Sequence, residues 1–364
     1  MKGIWKYNEY WSTADDMTQL TMGEGNTPLL RSDRISKKYN IPNLYFKLET
    51  SNPTGSYKDR YAASAISHLM LNKSKLCLAT SSGNTGAALA AYCARANMPC
   101  YIVVVDGAPA GKLNQMRLYG AETLMVKGFG KDEEISKNTF DELKAFALSM
   151  NSQVQISAYA YSPEGMQGVE SIAFEIAEEL PEDNVKVFSP SGGGGLTLAV
   201  GRGFLKWKEK NKEYSLPALH CVQPEGNNTI AGPLKEKLRT ATAISKSVTK
   251  VSGLQVPNII DGNQTIELCN ALHGDGHLVT DEEIFKIQGE LARLEGIYCE
   301  PAGAVALAGA IRARSEGLIK GDQHIVCLIT GHGFKDETSI DRMVEKGNPF
   351  FENIEKVKNY ILHK

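Results

Sequence analysis

Apolar β-branched runs alternate with segments of helical period over two stretches of this chain, the arrangement expected of parallel sheets with crossover helices. In the first stretch, Leu76-Cys-Leu-Ala79 predicts a strand, residues 83–96 an alanine-rich helix, and Cys100-Tyr-Ile-Val-Val-Val105 the next strand. A helix over 112–119, a strand over 123–126 and a helix over 133–150 continue the alternation. In the second, a helix over 164–180 leads to the strand Val185-Lys-Val-Phe188, a glycine run, a helix ending near Lys210 and the strand Leu219-His-Cys-Val222. Residues 284–294 and 302–314 predict helices before Ile325-Val-Cys-Leu-Ile329, a strand apolar on both faces. Between them, residues 242–263 are polar and aperiodic, so a long loop is expected there, as a lid or substrate segment.

Composition narrows the function classes. A chain of 364 residues predicts two domains. A formal net charge of -2 gives no electrostatic ground for nucleic acid or an acidic membrane surface. No apolar run approaches the ~20 residues a spanning helix needs, and residues 1–10 lack the apolar core of a signal peptide. Seven irregularly spaced cysteines without a C-x-x-C argue against a disulfide framework or a zinc ribbon. Cys77, Cys93, Cys100 and Cys327 lie in apolar segments and read as small buried hydrophobes. The expectation is a cytoplasmic enzyme or binding protein without nucleic-acid or membrane partners.

Three strand-to-helix loops and one lysine carry the candidate chemistry. Ser189-Pro-Ser-Gly-Gly-Gly-Gly-Leu-Thr197 joins a predicted strand to a predicted helix. Consecutive glycines let the backbone approach an anion, and the helix start adds partial positive charge, so phosphate binding is expected. A dinucleotide site is disfavoured, because the next spaced glycine is missing and the run does not open the fold. Gly107-Ala-Pro-Ala-Gly-Lys112 is one residue short of a Walker loop and lacks the following Ser or Thr, which rejects an NTPase. Thr80-Ser-Ser-Gly-Asn-Thr-Gly86 offers hydroxyls and helix-start N–H groups to a carboxylate or phosphate, with Ser81 or Ser82 also able to cap. Thr330-Gly-His-Gly-Phe-Lys-Asp336 follows the last strand, at the sheet end where ligands bind in open α/β folds. With Lys58 in Asn52-Pro-Thr-Gly-Ser-Tyr-Lys-Asp-Arg60, one ligand suits the set: a phosphate, an aldehyde for a lysine, and a ring nitrogen needing a partner. That ligand is pyridoxal 5'-phosphate.

The same stretches, with Gly23-Glu-Gly-Asn-Thr-Pro-Leu29 and Glu295-Gly-Ile-Tyr-Cys-Glu-Pro-Ala302, occur in the order found in fold-type II pyridoxal-phosphate enzymes. Over roughly residues 23–336 the chain most resembles the threonine synthase family. The resemblance implies two open twisted-sheet α/β domains with the cofactor in the cleft between them. It places a large domain at 1–61 plus 156–364 and a small mobile domain at 62–155, inserted in it. It makes Lys58 the lysine that bonds the cofactor and serves as base. Asn84 is then expected at the ring's phenolic oxygen, Gly192, Gly193, Gly194 and Gly195 around the phosphate, and Thr330 at the pyridine nitrogen. An amino-acid substrate is expected at Ser81, Ser82, Gly83 and Thr85, with Ser81, Lys112 and Ser157 on its phosphate. No metal is implied; His273 and His277 have ligand-like i, i+4 spacing, but the glycines between them disfavour a helix. Asp59 and Arg60 are expected to be structural, and Glu300 to shape the start of the following helix. A homodimer is expected.

The pattern departs from the family around the substrate. Where bacterial threonine synthases carry Asn-Ser-x-Asn-Pro-x-Arg, this chain has Ile156-Ser-Ala-Tyr-Ala-Tyr-Ser162, so serine stands in the arginine's place. Serine cannot supply the arginine's bidentate grip on a phosphate. Gly192-Gly-Gly-Gly195-Leu196 is similar to the loop of serine and threonine dehydratases. Three readings follow. The lead is conversion of O-phosphohomoserine to threonine and phosphate. The second is elimination from, or replacement on, another activated amino acid, favoured by Ile156, Tyr159, Tyr161 and Ser162 as a less cationic distal pocket. The third is a cofactor-binding protein without turnover.

Overall fold

The computed structural model describes residues 3–11, 19–108, 110–341, 343–344 and 349–363, the side chains of 110–112 and 337 excepted. Among these residues ten strands form two sheets. They are β1 (Leu29–Arg31), β2 (Leu44–Leu48), β3 (Cys77–Thr80), β4 (Cys100–Val104), β5 (Glu122–Met125), β6 (Val154–Gln155), β7 (Val185–Pro190), β8 (Ala218–Pro224), β9 (Gly276–Val279) and β10 (His324–Ile329). A six-stranded sheet runs β1-β2-β10-β7-β8-β9, and a four-stranded sheet runs β5-β4-β3-β6. Only β1 is antiparallel to its neighbour; every other pair is parallel, as the alternation of strands and helices predicts. The smaller sheet is built entirely from residues 77–155. The protein has the two-sheet α/β architecture of fold-type II enzymes.

Six of the ten strands match the predicted runs to within two residues at either end. The other four do not show in the pattern, for identifiable reasons. β2 lies between β1 and β10 and buries Lys47 completely, which interrupts an otherwise apolar run. That ammonium is held by Glu175 at 2.9 Å and Glu179 at 2.6 Å, both on the helix Pro163–Glu179. β1 and β6 are only three and two residues long. β9 follows a glycine and begins with one because backbones meet there. A Cβ on Gly274 would lie 1.7 Å from the Leu219 carbonyl oxygen, and one on Gly276 1.8 Å from that of Ala231. His277 is therefore a strand residue. Its Nε2 sits 2.9 Å from Nδ1 of His220 on β8, and burial pushes both imidazoles below their ordinary range.

The helix Lys58–Leu71 packs along Pro163–Glu179, and its first turn explains the residues after Lys58. Arg60 is fully buried, with Nε 2.8 Å from Glu49 and Nη1 2.6 Å from Glu175. Asp59, also fully buried, accepts hydrogen bonds from the Thr54 N–H and hydroxyl at 2.9 and 3.0 Å. These two side chains fix the turn that presents Lys58. Cys77 and Cys100 are register partners on β3 and β4, and Cys93 comes down from the intervening helix; all three are buried. No helix of the described residues is long and apolar enough to cross a membrane.

Candidate active site

Four loops from the carboxyl ends of parallel strands face one another: those after β3, β6, β7 and β10. Ligands bind at such sheet ends. The loops enclose a cavity of about 360 Å³ lined by Lys58, Asn84, all four glycines of 192–195 and Thr330. Sequence stretches far apart in the chain are laced together at its floor. Ser56 bridges to Gly331, the Tyr57 N–H donates to the Thr330 carbonyl at 3.1 Å, and the His332 N–H donates to that of Gly55 at 2.8 Å. The turn before Lys58 and the loop after β10 thus form one rigid unit.

Lys58 begins its helix with Nζ 2.6 Å from Ser157 Oγ and 4.4 Å from the centre of the Tyr57 ring. Burial pushes its pKa down to about 7, against the opposing pull of Glu300. A desolvated ammonium loses its proton readily, so this amine is available as a nucleophile near neutral pH. Ser157 Oγ also lies 3.0 Å from Thr85 Oγ1, linking the loops after β6 and β3.

The glycine loop is shaped from outside. Its carbonyls are engaged by Gln223 Nε2 on Gly192 at 3.0 Å, the Asp261 N–H on Gly193 at 3.0 Å and Thr265 Oγ1 on Gly194 at 3.2 Å. The N–H groups of Gly192, Gly193 and Gly194 donate to none of the described residues, and the helix Gly195–Lys210 starts directly behind them. Gly194 has a φ of 102°, and a Cβ there would lie 2.5 Å from Thr265 Oγ1. The loop is a cradle for an anion. Residues 252–260 close its side with Leu254, Val256 and Ile260, which places part of the long aperiodic loop on the cavity wall.

Thr330 Oγ1 is buried in the cavity wall without a hydrogen-bond partner among the described residues. A buried hydroxyl left unpaired is costly, so a ligand atom is expected opposite it. Asn84 donates through Nδ2 to both Glu300 oxygens, at 2.9 and 3.1 Å. A nucleophilic lysine, an anion cradle, an oriented amide and an orphan hydroxyl in one cavity fit a pyridoxal phosphate group.

The expected substrate residues divide. Ser81, Gly83, Thr85 and Ser157 line the cavity; Ser82 does not, and the side chain of Lys112 lies outside the described residues. Ser81 Oγ accepts from the N–H groups of Gly83 and Gly86, so it caps the helix as the sequence allowed. Of the four residues expected to make the distal pocket less cationic, only Ile156 reaches the cavity. Tyr159 instead bonds Glu170 at 2.8 Å, Tyr161 packs edge-on against Phe140, and the Ser162 hydroxyl donates to Gln155 at 2.9 Å. His332 stacks on Phe334 at 4.7 Å and does not line the cavity. Glu300 goes beyond its expected helix-shaping role by orienting Asn84. The lining residues without a role assigned from sequence include Lys335, within a quoted motif, and Gln115, in a helix without one.

Comparison with known proteins identifies the family. The family described as "Pyridoxal-phosphate dependent enzyme" matches residues 20–331. A threonine synthase of Methanocaldococcus jannaschii is 32% identical, over 94% of this chain and 83% of its own length. One from Halalkalibacterium halodurans is also 32% identical, over 91% of this chain and 88% of its own. Among solved structures, the processed form of threonine deaminase isoform 2 from Solanum lycopersicum superposes with a TM-score of 0.72. It is 23% identical and covers 94% of this chain and 92% of its own.

Proposed function

The chain belongs to the pyridoxal-phosphate-dependent enzymes, as a lyase of the threonine-synthase-like family, and we propose that it converts O-phosphohomoserine and water to threonine and phosphate. The observation that carries this reading is the cavity itself. It brings the lysine, amide, glycine cradle and hydroxyl of the resemblance together in one space of about 360 Å³.

Bound in the cleft, the coenzyme supplies an electron sink for charge developing on an amino acid's Cα. In this proposal Lys58 holds it covalently, Gly192 to Gly195 carry its phosphate, Asn84 meets its phenolic oxygen and Thr330 its ring nitrogen. A hydroxyl at the ring nitrogen does not enforce a pyridinium. The Lys58 amine, low in pKa, takes the substrate's Cα proton and returns protons later along the carbon chain. Ser81, Gly83 and Thr85 hold the substrate carboxylate at the start of the helix Asn84–Ala96. Residues 62–155 act as the mobile small domain, closing on that carboxylate to exclude water. The active form is a homodimer.

A second reading keeps the cofactor chemistry and changes the amino acid. Ile156 lining the cavity, with Ser162 turned away from it, favours elimination from another β- or γ-substituted substrate. The two are separated by offering the holoenzyme O-phosphohomoserine, O-phosphoserine, serine and threonine, and assaying phosphate, ammonia and new amino acids. Threonine and phosphate from the first substrate support the proposal. Ammonia from serine or threonine, with no threonine formed from O-phosphohomoserine, replaces it with the second reading.

A further inference from the structure

We propose that Lys335, positioned by Gln115 across the cleft, is the binding site for the substrate's phosphate, in place of a cation on the 156–162 segment. The inference rests on the reading above and identifies what grips the leaving group.

The 156–162 segment offers the cavity Ile156, Ser157 and Ala158, and no charge. Ser162 is 1% exposed and engaged with Gln155, so this position faces the protein interior. The charged residues lining the cavity, among those described, are Lys58, Lys335 and Glu300. Lys58 is committed to the coenzyme and Glu300 to Asn84. Lys335 makes no ion pair with the described residues; its Nζ donates to the neutral Gln115 Oε1 at 2.7 Å. An ammonium has three protons, and a partly buried one bonded only to a neutral amide has donors left for an arriving anion. Burial lowers its pKa, an effect that Asp59 and Glu300 oppose and that a bound anion would also offset.

The lysine is also held in place. It ends the short turn Gly333–Lys335, inside the loop that pairs with residues 55–57. Its Cε passes where a Cβ on Gly55 would lie 3.4 Å away, so the Pro-Thr-Gly turn supports its stem. Gln115 approaches from the helix Ala110–Leu118 beside the smaller sheet, with Nε2 directed at the Thr54 carbonyl (3.5 Å) and Tyr119 Oη (3.4 Å). That leaves the amide oxygen for Lys335. The contact spans the two sheet units, so an anion on Lys335 is bound where closure brings them together. A compact ammonium with several donors suits a tetrahedral phosphate monoester. The planar substrate carboxylate has the N–H groups of Asn84 and Thr85 at the helix start instead, those of Gly83 and Gly86 being engaged by Ser81.

The test compares wild-type holoenzyme with Lys335→Met, Lys335→Arg and Gln115→Leu. It reads KM and kcat for O-phosphohomoserine, inhibition by inorganic phosphate, and binding of phosphate and of serine by calorimetry. Lys335→Met should weaken phosphate and raise KM by about 10–100-fold, the range for a charge-assisted hydrogen bond. Lys335→Arg should recover part of the loss. Gln115→Leu should raise KM by a smaller factor, with kcat changed less than KM. Unchanged phosphate binding in Lys335→Met overturns the inference, as does an equal loss for phosphate and serine, which would assign Lys335 to the carboxylate. If Lys335→Met does not fold, the Arg and Gln115 variants decide by the same readouts. If the wild type makes no threonine, the proposed substrate fails, and phosphate calorimetry still tests Lys335.

Discussion

At the scale of single residues, Lys58 combines two properties that a solvated turn would not give it: a pKa pushed down to about 7 and a fixed place between Tyr57 and Ser157. Lys58→Ala should abolish turnover and the coenzyme's lysine-linked absorbance while circular dichroism stays native; retained turnover would remove Lys58 from the mechanism. The depressed pKa has a sign that can be checked. The amine is protonated below about pH 7, so capture of added pyridoxal phosphate by the coenzyme-free protein should slow about tenfold per unit below that and level off above it. A profile still rising towards pH 10, the ordinary lysine range, would contradict the burial argument. Glu300 raises the Lys58 pKa and holds Asn84. Glu300→Ala should therefore move the capture profile to lower pH and reduce kcat/KM about 10–100-fold. Glu300→Gln should lose less kcat/KM. Activity loss without the acid-ward shift would count against this electrostatic role.

Elements were legible where one force dominated. Apolar runs such as Cys100–Val104 and His324–Ile329 declare themselves because parallel strands buried on both faces need little else. β2 was hidden by Lys47, whose burial makes sense only with Glu175 and Glu179 from a helix more than a hundred residues away. β9 was hidden by glycines that a neighbouring backbone requires. The candidate site was legible in its motifs, since Lys58, Asn84, the glycine loop and Thr330 all reach the cavity. The wall opposite was not, because whether Tyr159 and Ser162 face inward depends on how the loop after β6 turns, and no local pattern encodes that. The ion network under Lys58 yields its own prediction. Arg60→Ala leaves Glu49 and Glu175 buried without their partner and should cost about 3–5 kcal/mol of stability, read as a lowered denaturation midpoint. A loss below 1 kcal/mol would mean the network is dispensable.

For the whole molecule, the two sheets explain why a cleft enzyme needs both. The glycine loop and the unpaired Thr330 hydroxyl, proposed for the coenzyme, come from the six-stranded sheet, and the loop proposed for the substrate carboxylate comes from the four-stranded one. Asn84 to Glu300 and Gln115 to Lys335 cross between them. A homodimer is proposed as the active form, and sedimentation of the holoenzyme at micromolar concentration should give about twice the 39.7 kDa chain mass; a monomer with full activity would refute it. The most direct measurement on the central claim is the product ratio from O-phosphohomoserine in a single assay of the holoenzyme. The account predicts phosphate and threonine in equal amounts, with no ammonia. Phosphate accompanied by ammonia, or no phosphate at all from a coenzyme-loaded protein, would contradict it.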